Sequence, residues 1–113
     1  MRLPEKLTRA LDKVLSRELP GVILRTTWKP TATIPILWFV ATEKRCVLIS
    51  TLRGGQTYRE IRYSEINSLR SEAGRIILLP ADPDAEDWSV PIDAGYKDRI
   101  IEFVGYVTAR LTN

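Results

Sequence analysis

Residues 36–63, ILWFVATEKRCVLISTLRGGQTYREIRY, constrain the fold more than any other stretch of the chain. Two apolar runs meet at residues 42–45, and a third begins after Arg53-Gly54-Gly55, the pattern of an antiparallel meander built on two tight turns. The first two runs do not alternate. Ile36, Trp38 and Val40 are apolar on one face and Leu37, Phe39 and Ala41 on the other, so both faces are expected to be covered. Three candidates can cover the second face: the N-terminal segment, a second copy of the chain, or a partner.

The N-terminal segment is itself amphipathic. Leu3, Leu7, Ala10, Leu11, Val14 and Leu15 fall at helical spacing, which predicts a helix over residues 3–19 that Pro20-Gly21 stops. From Gly21 the period becomes two, with Val22, Leu24, Thr26 and Trp28 on one side of a half-buried strand. Residues 29–35, KPTATIP, read as a loop. Strands are expected over 36–42, 45–51, 56–63, 66–71, 75–79 and 87–92, and a closing helix over 94–111 with Asp93 as its cap. That helix carries Tyr96, Ile100, Phe103, Val104, Val107 and Leu111 on one stripe. The expected class is mainly β with helices (α+β): about seven antiparallel strands, a C-terminal helix, and an additional N-terminal helix at 1–20 before a single compact domain at 21–113.

A chain of 113 residues is enough for one domain with its own core. Cys46 is the one cysteine and sits within an apolar strand, where a small buried hydrophobe is expected. Arg2, Glu5, Lys6 and Arg9 interrupt the start of the chain before a signal-type apolar run forms, and no run approaches the ~20 apolar residues of a membrane span. A reduced cytoplasm is the expected location. Residues 1–56 carry ten Lys/Arg against four Asp/Glu, and residues 57–113 carry seven against ten, so the formal charge of +3 is polarised along the chain.

The string Val40-Ala41-Thr42-Glu43-Lys44-Arg45, the Gly54-Gly55 turn, and Ile61-Arg62-Tyr63-Ser64-Glu65-Ile66 resemble the bacterial pleckstrin-homology-like (PH-like) domains over roughly residues 21–111. That family shows an ATxKR hairpin, a Gly-containing turn and a PYxxI strand end; Arg62 stands where proline is common. The resemblance implies a bent antiparallel barrel plugged at one end by the C-terminal helix, and a binding role rather than catalysis.

The residues agree with a binding role. With no histidine, the commonest general base and metal ligand is missing, and Cys46 has no histidine to activate it. The acidic run Asp82, Asp84, Glu86, Asp87 has the spacing that opens a calcium loop, but Asp87 stands where the sharp turn needs glycine; a solvated turn is expected, with no metal and no cofactor. Nucleic acid is disfavoured because the cations are scattered without interleaved exposed aromatics. Arg25, Lys29, Lys44 and Arg45 are the candidate residues for an anion or partner, although Thr42 can shape the 42–45 turn by a local hydrogen bond that leaves Lys44 and Arg45 structural. Association with a protein partner or with further copies of the chain is the leading expectation. The alternative is peripheral attachment to anionic lipid through Arg25 and Lys29 or through the helix stripe Arg2, Lys6, Arg9, Lys13 and Arg17.

Overall fold

The computed structural model describes residues 3–111, which form seven antiparallel strands in two sheets and two α-helices. The first sheet has the order β1 (Pro20–Arg25), β2 (Trp38–Thr42), β3 (Arg45–Ser50), β4 (Gln56–Arg62). The second has β5 (Ile66–Glu72), β6 (Arg75–Pro80), β7 (Trp88–Pro91). Helix α1 spans Glu5–Leu15 and α2 spans Ile100–Leu111. The sheets join at one corner through a Thr26–Ile92 bridge, with the Thr27 amide donating to the Pro91 carbonyl and the Asp93 amide to the Arg25 carbonyl. On the opposite side β4 ends the first sheet, and among the described residues no strand pairs with its outer edge.

The absent alternation in β2 and β3 has a direct structural counterpart. Every residue of β2 is buried, and so is every residue of β3 after Arg45. On the inner face Phe39 packs between Trp88 of β7 and Phe103 of α2, with ring centroids 6.1 and 4.6 Å away. On the outer face α1 lies over β3, β4 and the turn between them, burying Leu7, Ala10, Leu11 and Leu15 in the same apolar cluster as the strands. Each leucine so buried contributes about 1.5–3 kcal/mol. The cover for the second face is thus the chain's own N-terminal helix. At the other end of this sheet Tyr58, the bulged residue of β4, meets Trp28 edge-on at 5.5 Å.

Two helix boundaries differ from the periodicity. The helix expected over 3–19 ends at Leu15, where Ser16 takes φ 56° and the Glu18 amide turns back to the Leu15 carbonyl. Pro20 is already paired with Thr42 at the start of β1, so the chain must reverse before it, and the amphipathic stripe cannot show that. The closing helix begins as a 3₁₀ turn at Ala94–Arg99, with Asp93 accepting from the Gly95 amide as its cap, and becomes α-helical at Ile100. Tyr96, Ile100, Phe103 and Val107 of its expected stripe are buried. Arg2 and Asn113, within the expected bounds of the helix and of the domain, lie outside the described residues.

Candidate functional site

The β2–β3 turn is built by Thr42, which is fully buried. Its Oγ1 accepts from the Lys44 amide at 3.1 Å and the Arg45 amide at 3.2 Å, and its hydroxyl donates to Glu18 Oε1 at 2.8 Å. Tyr63 donates its hydroxyl to the Thr42 carbonyl, tying the end of β4 to the same turn. Thr42→Val keeps the shape and removes these bonds. The expected loss is about 1–3 kcal/mol, because two backbone amides and a carboxylate oxygen lose a partner in a half-buried place. A urea midpoint unchanged from that of the parent protein would contradict this role for the hydroxyl.

Arg45 opens β3 and points to the outer face, where α1 ends. Its Nε and Nη2 reach Glu18 Oε2 at 3.0 and 2.8 Å, Nη2 also donates to the Val14 carbonyl at 3.3 Å, and Nη1 pairs with Glu60. One guanidinium therefore holds two carboxylates and caps a free carbonyl at the C-terminus of α1. Arg45 and Glu18 side chains are only 18% and 15% exposed. Burial acts most strongly against ionisation of both. The Arg45 and Thr42 hydrogen bonds with the Arg45 and Lys44 charges outweigh it for Glu18, whose carboxyl titrates below its ordinary range, and the two carboxylates outweigh it for Arg45, which is raised.

Around this clasp lies a cleft of about 910 Å3, lined by the end of α1, the β2–β3 turn and the end of β4. Its acidic groups are engaged: Glu18 and Glu60 hold Arg45, and Glu43 pairs with Arg110 at 3.2 Å. Arg110 is itself stacked over the Tyr106 ring at 3.4 Å. The remaining lining cations, Arg17, Lys44 and Arg62, form no ion pair among the described residues. Leu19, 78% exposed, adds an apolar contact. A second cleft, of about 420 Å3, lies on the other side of β4. It is lined by Ile61, Pro80, Ala81, Ala85 and Trp88, with Glu65 and Asp82 among its polar residues.

The four candidate cations separate. Lys44 and Arg45 line the larger cleft, but Arg45 is consumed in the clasp. Arg25 lies at the opposite end of β1, paired with Asp93 at 2.6 Å, and Lys29 is exposed in the β1–β2 connection. The backbone bond from Gly95 and the Arg25 partner hold the Asp93 carboxyl below its usual range. Arg62, Glu18 and Glu60 were not among the sequence candidates, and Arg17 was one only as the last cation of the helix stripe considered for lipid. Arg62 stood out only as a departure from proline, and Glu18 carried no signal beyond its charge.

Burial pushes the Cys46 thiol up to about 12, so it stays protonated near neutral pH. Among the described residues no group of three or more His, Cys, Asp or Glu is placed to hold a metal, and no helix is long and apolar enough to cross a membrane. The acidic 82–87 run forms an exposed turn in which the Asp84 amide donates to Asp82 Oδ1 at 2.9 Å. No family model matches the chain, and comparison with curated proteins returns no match.

Proposed function

We propose that this chain is a non-enzymatic, PH-like protein-interaction module that takes an acidic segment of a protein partner in the cleft between the end of α1 and the β2–β3 turn. One observation carries the reading: the carboxylates of that cleft are occupied by Arg45 and Arg110, while Arg17, Lys44 and Arg62 line it without an ion pair among the described residues. An anionic group entering there meets three cations that form no ion pair among the described residues, and their charge exceeds the one net negative charge left where Glu18, Glu43 and Glu60 are set against Arg45 and Arg110. The PH-like reading is supported by the 4 + 3 strand order, the single joined corner and the packing of Phe103 on Phe39.

The geometry moves the binding argument away from the outer face of β2 and β3. That face was the reason to expect further copies of the chain, and α1 now covers it. Attachment to anionic lipid through α1 is the weaker reading, because Leu7 and Leu11 are buried beneath the helix and are not available to insert while it is docked.

Selection of random displayed peptides against the protein, run beside the triple variant R17E/K44E/R62E, tests this reading. Enriched peptides should carry a surplus of Asp and Glu and should bind the variant at least about tenfold more weakly, the size of a lost charge-assisted contact. Equal enrichment on both proteins would remove the cleft from the binding surface.

A further inference from the structure

The free edge of β4 lies between the two clefts. Glu60 lines both of them. The pairing of β4 with β3 puts Glu60 and Arg62 opposite Val47 and Arg45, on the outer face beneath α1. Arg59 and Ile61 have the other parity and face the second cleft. The Arg62 amide donates to Glu65 Oε1 at 3.0 Å, so it turns away from β3. By the alternation of an antiparallel ladder, the Glu60 amide and carbonyl turn to the same open side. Arg59 reaches across to the Glu86 carbonyl at 3.1 Å, which limits the open edge to residues 60–62.

From this placement we infer that the acidic segment binds as an added strand against Glu60. Its side chains alternate, acidic ones toward Arg17, Lys44 and Arg62 and apolar ones toward Ile61, Ala81, Ala85 and Trp88. A bound strand must send successive side chains to opposite faces, and here the two faces differ in chemistry. Glu65 and Asp82 beside the second cleft repel an acid at the apolar parity, whereas Glu60 at the acidic parity is held by Arg45 beside Arg17, Lys44 and Arg62, and this difference fixes the phase of the alternation. The partner motif is therefore an extended run of period two, acidic at one parity and small apolar at the other. The inference rests on the proposed acidic cleft and adds the backbone pairing and the phase.

Three capped synthetic peptides of about six residues, a length matched to a short strand, separate the two claims. One alternates Glu and Val, one has the same composition with its Glu and Val in two blocks, and one is the alternating peptide N-methylated at alternate amides. Titration of the intact chain should show the alternating peptide about tenfold or more tighter than the other two, the effect of losing one or two hydrogen bonds or an apolar contact. Amide exchange at Glu60 should slow with the alternating peptide alone. If alternating and blocked peptides bind equally and R17E/K44E/R62E weakens both, the added strand is overturned and the acidic cleft stands. If no acidic peptide binds, both claims fall. Light scattering completes the test: a dimer without peptide that the alternating peptide does not dissociate would place a second copy on the edge and overturn the inference.

Discussion

Gly55→Ala is expected to destabilise the fold by about 4 kcal/mol, combining backbone strain of ~1–3 kcal/mol with overpacking of similar size. Gly55 lies after the β3 end with φ +127°, and a Cβ there would sit 2.6 Å from Ala10 Cα and 3.0 Å from the Ala10 carbonyl oxygen. Those atoms belong to the backbone of α1, so no rotamer change relieves the contact. The helix must lift from the sheet, although Lys13 Nζ holds it to the Arg53 carbonyl at 3.2 Å. Gly54→Ala is the internal control. It has φ +82° but nothing within 4 Å of the new Cβ, so its cost should be the strain alone, about 1–2 kcal/mol. For a domain of this size each kcal/mol lowers the melting temperature by about 4–8 °C. Gly55→Ala should also speed amide exchange throughout α1, whereas Gly54→Ala should not. Equal losses for the two variants would mean that close approach of the helix is not what Gly55 provides.

The contact at Gly55 shows where sequence reading stops. The double glycine marked a turn from residue type alone, since positive φ is a local demand, and the structure has that turn. That Ala10 lies against it is a contact across the fold that no periodicity reveals. The same division runs through the rest of the chain. The runs at 36–51 signalled a face needing a cover, and the leucines at 7, 11 and 15 signalled a helix needing a surface. Pairing one with the other required the tertiary structure. The turn-shaping role of Thr42 was legible because the bonds that make the turn reach only to Lys44 and Arg45, whereas its bond to Glu18 crosses the fold and was not. The neighbouring cations were not separable by type: Lys44 stands in the exposed turn, while Arg45 opens β3 on the face that α1 covers. Glu18, distant from Arg45 in sequence, gave no signal beyond its charge. The cleft cations Arg17, Lys44 and Arg62 come from three separate elements and meet only because the turn after α1 reverses the chain.

Arg45→Met should cost about 2–3 kcal/mol at neutral pH, below the ~3–5 kcal/mol for breaking a fully buried pair because Glu60 is half exposed. The loss has two sources, a carboxylate left in a mostly covered place and an uncapped Val14 carbonyl. Glu18→Gln retains the Arg45–Glu60 pair and should cost about 1–2 kcal/mol. The double variant should lose about 1 kcal/mol less than the sum, since the two side chains are in direct contact. The pH dependence gives the sharper test. Glu18 titrates below its ordinary range in the folded protein, so its contribution is complete above the unfolded value of about 4.3 and is lost as pH falls through the lower folded value. Without Arg45, burial weighs more heavily, the folded value moves up, and the ionised carboxyl ceases to favour the fold. The stability gap between the parent protein and Arg45→Met should therefore be widest near neutrality and should narrow as the pH is lowered from 5 to 3, read as urea midpoints across that window. A gap that stays constant would mean that Arg45 holds α1 through packing and the Val14 carbonyl, with the Glu18 charge playing no part.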